Sequence, residues 1–197
     1  MRDRTRLAVR AELTQIALDL FLADGYDAVT VEQIAEAAGV SRRTFHRYFL
    51  SKDAVLTDAL TVAGDRVAKA LVERPAKEAP WVALRRAFDV LVSEMEDSER
   101  ALSLTRMMHR SPATHASHLR KQVRWRRSIA AALADRLDPA LDDRQRELRA
   151  NALAAAAVAC QEVAQTAWIA DDRSGSLAEL LDSTMGAIHP LGRPPRR

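Results

Sequence analysis

The chain has 197 residues, 48% of them hydrophobic and 29% charged, which allows a sizeable buried core and excludes a disordered polymer. Net charge is only +3, so any surface for nucleic acid has to come from local clustering of basic residues. The lone Cys160 excludes a disulfide framework and a multi-cysteine zinc site, no apolar run reaches the length of a membrane span, and MRDRTRLAVRAEL lacks the apolar core of a secretory signal; the expectation is a reduced, cytoplasmic protein.

From Leu7 to Asp24 the apolar residues Leu13, Ile16, Ala17, Leu20 and Phe21 recur at helical spacing, and Gly25 stops the helix. The polar arm ahead of it, with Arg2, Arg4 and Arg6, reads equally as a loose phosphate-touching segment and as a solvated terminus. Thr30 and Gln33 form a capping box that starts a helix at Val31. Gly39 stands where a helix C-terminus wants positive φ, and Ser41 caps the next helix. Val40 and Phe45 occupy the two places of a hydrophobic staple across that cap. Helix, short turn with glycine, helix is a helix-turn-helix candidate, and its second helix carries Arg42, Arg43 and Arg47 with no acid. The first helix needs a partner for its apolar stripe and is expected to cover this pair, giving a three-helix unit.

Ser51 caps a fourth helix, with Val55, Leu56, Leu60, Val67 and Leu71 along its stripe, which ends before Pro75. The link from Phe49 to Lys52 is too short for a free tether, so this helix is mechanically joined to the unit before it. Pro80 starts a helix that carries Trp81, Leu84, Phe88, Leu91 and Met95, and Ser98 caps a shorter one. Ser111-Pro112 opens a long helix to about Leu137, and Asp142 with Gln145 starts another that runs to about Asp171. Ser174-Gly175-Ser176 breaks the chain before a last helix with Leu177, Leu180, Leu181, Thr184, Met185 and Ile188 on one stripe. No strand pattern occurs, so the fold class is all-α: residues 1–50 as the helix-turn-helix domain, residues 51–190 as a larger helical domain and residues 191–197 as a disordered, proline-rich tail. Ala152 to Cys160 is apolar around its whole circumference, which fits a helix buried against its own core on one side and a second subunit on the other. Together with the stripe of the last helix, it would build a homodimer through the last two helices.

With Phe45 and Phe49 turned inward, Arg43 and Arg47 point outward, Thr44 lies beside them, and His46 and Tyr48 take opposite flanks. Arg43 suits a guanine O6/N7 fork and Thr44 a thymine methyl or base edge. The hydroxyls of Thr30 and Tyr48, the amides at the Ser41 helix start, and Lys52 suit phosphate oxygens. The run from Thr30 through SRRTFHRYFLSKDAVL closely resembles the TetR family of bacterial transcriptional regulators, with Gly39, Ser41, Thr44-Phe45, Phe49 and Ser51-Lys52 in the family's places. The resemblance implies that Thr44, His46, Tyr48 and Lys52 commonly touch DNA, although His46 stands in place of a usual tyrosine and Leu50 in place of a frequent proline. It also implies a homodimer whose larger C-terminal domain binds a small molecule that controls DNA affinity. SRRTF and the Trp168…Leu180-Leu181 ending look like a subgroup with acyl-CoA-like ligand domains that includes regulators of mycofactocin systems.

For the ligand, Met95, Met107, Met108, Trp125 and Trp168 are candidates to line an apolar cavity, with Gln161, Glu162 and Gln165 to orient a polar end; any one of them taken singly reads rather as packed core, if apolar, or solvated surface, if polar. Arg100 to Arg127 contains no acid, and serves as a solvated face, a site for a negatively charged ligand or auxiliary phosphate contacts. His109, His115 and His118 have no carboxylate near in sequence, so neither a metal nor a cofactor is expected. The reading is therefore a dimeric, ligand-responsive repressor on a palindromic operator, with double-stranded DNA and an acyl-CoA-like or other anionic or apolar metabolite as partners. The rivals are a ligand-independent architectural DNA-binding protein and a helical enzyme; the enzyme has no P-loop, GxSxG or HExxH to support it.

Overall fold

A computed structural model describes residues 2–110, 114–171 and 173–191. The helices are α1 (Arg2–Asp24), α2 (Val31–Ala37), α3 (Arg42–Tyr48), α4 (Lys52–Val72), α5 (Pro80–Ala87), α6 (Asp89–Asp97), α7 (Glu99–Arg110), α8 (His115–Ala134), α9 (Asp143–Ala170) and α10 (Leu177–Ile188), with no strand among the described residues. They form two compact units, each drawn from two stretches of chain: Met1–Val62 with Glu99–Lys121, and Ala63–Ser98 with Gln122–Arg197.

In the first unit, α1 starts at Arg2, five residues earlier than its apolar stripe suggests, so the arm is not a loose segment. Nothing in RDRTR breaks a helix, and once α1 is nucleated each further residue adds a backbone bond; the side chains of Arg2 and Arg4 lie outside the described residues. Leu13, Ala17 and Phe21 of α1, Ile34 of α2, and Phe45 of α3 are at most 1% exposed and form one core. Val55 and Leu56 from the start of α4 close it. Met108 of α7 is buried in the same core, with Leu104 and Met107 half-buried against it. Arg100 adds an ion pair to Asp19 of α1. Arg10 ties α1 to α3 and α4: it forks onto Asp58 (2.8 and 2.7 Å), donates to the Tyr48 carbonyl (2.9 Å) and lies 4.4 Å over the Phe49 ring.

In the second unit, α9 and α10 pack along one another, with Ala154, Ala157, Val158 and Cys160 turned in on α9 and Leu177, Leu181 and Met185 turned in on α10. Burial pushes the Cys160 thiol up, and its Sγ donates to the Thr184 carbonyl at 3.5 Å, so it packs as an inert small residue. Buried Arg85 holds α5 to α10 through Asp182 and the Ala178 carbonyl (3.2 Å), and also pairs with Asp89. Trp81 Nε1 donates to the Met185 carbonyl at 3.2 Å, and Glu96 accepts from the Leu177 amide at 2.9 Å. The helix expected from Pro80 through Met95 breaks at Phe88, where the bonding tightens to Phe88 N–Arg85 O (3.3 Å) and Leu91 N–Phe88 O (2.9 Å). The Ser111-Pro112 cap and residues 192–197 of the tail lie outside the described residues.

Candidate functional site

The turn between α2 and α3 is built by local chemistry alone. Thr30 Oγ1 accepts from the Gln33 amide (3.2 Å), and Gln33 Oε1 accepts from the Thr30 amide (2.8 Å), which closes the capping box. At the far end, Gly39 takes φ +64°; the Gly39 amide reaches the Glu36 carbonyl and the Val40 amide the Ala35 carbonyl, both at 2.9 Å. That pair of bonds is a Schellman cap, and a residue with a Cβ would be strained in it. Ser41 then caps α3, its Oγ accepting from the Thr44 amide at 3.1 Å. The result fixes the direction of α3 with little help from the rest of the chain.

Phe45 and Phe49 turn inward, their centroids 5.8 Å apart. Arg43, His46 and Arg47 are exposed and Thr44 and Tyr48 half-buried, so the outward set is the expected one. Arg42 is not a bare cation: it pairs with Glu32 of α2 at 2.9 Å, an exposed bridge that a phosphate can displace at little cost. The guanidinium of Arg47 lies 5.2 Å over the Tyr48 ring, and His46 stands edge-on to Phe45 at 5.6 Å. The Thr30 and Ser41 hydroxyls both serve as caps, so a phosphate meets them only as part of that network.

Lys52 departs from the expectation. Its Nζ donates to the carbonyls of Tyr26 (2.7 Å), Asp27 (3.2 Å) and Val29 (2.9 Å) and sits 4.6 Å from the Tyr26 ring centroid. An ammonium has only three protons, so this one bolts the α1–α2 connection to the start of α4 instead of offering a free donor. Beside it the Tyr26 hydroxyl donates to Asp53; burial first, and then that bond, push the phenol well above its usual value and keep it neutral. Lys52→Met keeps the stem and removes the bolt. The urea midpoint should fall, by about 2 kcal/mol in stability, while the salt dependence of DNA binding stays as it was. An unchanged midpoint with the salt slope lower by about one unit would restore the phosphate role.

The ligand candidates do not form one set. Met108 and Met107 belong to the core of the first unit, because α7 turns that side of its stripe onto α1. In the second unit Met95 and Gln161 line the same small cavity, of about 10 Å³. Trp168 instead donates to the Gly175 carbonyl (3.2 Å), closing the turn after α9, and Trp125 packs on the backbone at Gly64. Gln165 is buried, and Glu162 accepts from Gln122. An open groove of about 410 Å³ runs between α8 and α9, with Ala130, Ala134 and Ala150 on its floor and Arg126, Arg127 and Arg146 along it. The basic run is broken up by its surroundings, since Lys121 is buried and Arg100 is paired. His109 and His118 meet edge-on at 6.0 Å, and the His115 side chain lies outside the described residues; among those described, no cluster of His, Cys, Asp or Glu could hold a metal ion. No helix among the described residues is long and apolar enough to cross a membrane.

Sequence reasoning missed Arg10 and the backbone acceptors of Lys52 within the fold. Arg10 carried a signal, a charge falling among the apolar positions of α1; the carbonyls that Lys52 meets carried none.

Comparison with known proteins matches residues 13–59 to the model for bacterial regulatory proteins of the tetR family, and residues 78–191 to the MftR C-terminal domain. The HTH-type transcriptional regulator TcmR of Streptomyces glaucescens is 32% identical over 96% of this chain and 87% of its own. The Mycobacterium tuberculosis protein named for regulating mycofactocin biosynthesis, MftR, is 27% identical over 94% and 91%. Among solved structures, Thermus thermophilus FadR, a TetR-family repressor in complex with lauroyl-CoA, superposes with a TM-score of 0.57 at 23% identity, covering 95% of this chain and 98% of that one.

Proposed function

The chain belongs to the TetR family of bacterial transcriptional regulators, with a C-terminal domain of the MftR type, and from that premise we propose that it is a ligand-responsive repressor binding a palindromic operator as a homodimer. The family's members are regulators, not enzymes, and the enzyme reading falls with that. Residues 1–50 act on DNA and residues 51–190 bind the ligand and pair the subunits, in the cytoplasm where the DNA is. The observation that carries the proposal is the exposed face of α3, with Arg43, Thr44 and Arg47 held outward on a helix whose direction is fixed by two capping motifs. Arg42, His46 and Tyr48 flank it, and Thr30 and Ser41 stand at the helix starts that meet the backbone.

Pairing through α9 and α10 is supported by an unpartnered stripe on α9: Leu148 (62% exposed), Ala152, Ala155, Ala159 and Val163 (59% exposed) succeed one another at helical spacing. On α10, Ile188 is likewise 58% exposed. Two-fold pairing along this face makes a four-helix contact and requires a dyad in the operator. The effector, acyl-CoA-like or another anionic or apolar metabolite, acts through α4, whose residues are divided between the two units. It releases DNA by favouring the conformer that holds the two recognition helices at the wrong separation, and operator must weaken effector binding by the same factor.

Selection from a random DNA pool tests the reading directly. A recovered palindrome supports it, a single half-site removes the dimer, and no enriched sequence leaves a non-specific architectural protein. On the recovered operator, Arg43→Ala should cost about 1–3 kcal/mol by fluorescence anisotropy and relax base preference at one position per half-site. Uniform weakening with base preference intact would assign Arg43 to a phosphate.

A further inference from the structure

In the second unit, α9 places an amide where packing asks for a hydrocarbon. Gln161 is 6% exposed, and its Oε1 is fully buried with no hydrogen-bond partner. Gln161 lines a cavity whose other walls are apolar: Phe88, Leu91 and Met95 from the α5–α6 side, Ala164 from α9, and Leu177 and Leu181 from α10. No charged residue lines it. At about 10 Å³ it has room for one water at most, so it is a small chamber left by the packing of these helices. A buried polar atom without a partner weakens the fold, and a leucine would pack the same space better. The Oε1 atom therefore stabilises nothing in the empty protein, and its return comes when something bonds to it.

We propose that this chamber is the recognition site for a neutral, apolar small molecule bearing one hydroxyl, a phenol or short alkanol in kind, whose hydroxyl hydrogen-bonds the Gln161 amide. This rests on the reading of the second unit as the effector domain and narrows the class of effector. The uncharged walls disfavour an anion, since nothing there would offset its desolvation. A hydroxyl both donates and accepts, so it satisfies the amide in either orientation of its O and N. Entry requires the chamber to widen. Met95 provides the means, because its unbranched thioether side chain repacks more freely than any other wall residue. A guest there wedges into the packing of α6 against α9 and α10, the two helices proposed to pair the subunits, and so couples occupancy to the dimer.

Phenol and its hydroxyl-free isostere toluene, at equal millimolar concentrations, test this on the full chain by calorimetry and thermal unfolding. Wild type should bind phenol at least tenfold more tightly than toluene. Gln161→Leu should itself unfold about 2–4 °C higher, having lost the orphan amide, and should reverse the order of the two probes. Equal affinities in wild type, an unchanged preference in Gln161→Leu, or binding of neither probe would each overturn the proposal. Operator affinity measured alongside separates it from the reading on which it rests. Phenol that binds through Gln161 without altering operator affinity upholds the chamber and removes its effector role. Release of operator by lauroyl-CoA with no phenol binding upholds the repressor and overturns the chamber.

Discussion

Phe45→Ala should abolish operator binding without removing a single contact to DNA. Phe45 is completely buried, wedged by α3 into the core formed by α1, α2 and the start of α4. Truncating a phenylalanine in such a place costs about 3–5 kcal/mol, from lost transfer energy and the cavity left behind. Whole domains are stable by only about 5–15 kcal/mol, so this one change removes a large part of what holds the recognition helix. The thermal midpoint should fall by on the order of 10 °C or more. Phe45→Leu, which keeps most of the volume, should cost about 1 kcal/mol and retain operator binding at low temperature. If Phe45→Ala kept its thermal midpoint and still lost the operator, the side chain would have to face DNA, and the inward placement of α3 would be wrong.

The contrast between Phe45 and Lys52 marks what sequence could reveal. Thr30, Gly39 and Ser41 were legible because each acts on backbone within four residues of itself, where spacing alone determines the contact, and Phe45 because helical spacing alone puts it on the inward face with Phe49. Lys52 was placed correctly at the start of α4, but its bonds within the fold were not legible. The carbonyls of Tyr26, Asp27 and Val29 are brought to it only by the fold of the first unit. The same limit applies to α7. Its apolar stripe looks alike whichever body it packs on, and only the fold sends Met108 to the helix-turn-helix core instead of the effector domain. Gln161 could be singled out as a polar interruption of an alanine-rich helix, but not as buried, because burial is decided by α6 and α10. Helix existence was therefore well determined, and helix partnership was not. The candidate DNA surface lies on the first side of that line and the candidate effector site on the second.

Gly64 gives the second large effect, and it tests how α4 is held. A glycine inside a helix costs about 1 kcal/mol relative to alanine, so on an open face Gly64→Ala would stabilise the protein. Here a Cβ would lie 2.6 Å from Cγ and 2.7 Å from Nε1 of Trp125, closer still to Cδ1, and the indole is itself 4% exposed. A buried ring has nowhere to go at small cost. The sign therefore reverses: Gly64→Ala should destabilise, and Gly64→Leu should do so by about 3 kcal/mol, read from urea unfolding. A double-mutant cycle identifies the cause. Trp125→Leu alone loses packing, but combined with Gly64→Leu it removes the clash, so the pair should cost at least about 1 kcal/mol less than the sum of its parts. Additive costs would mean that the glycine is required by the backbone of α4 and not by the indole. Non-additive costs would make Trp125 the side chain that holds α4 in the second unit, and operator affinity in the single mutants would then report how far that hold is felt at the DNA.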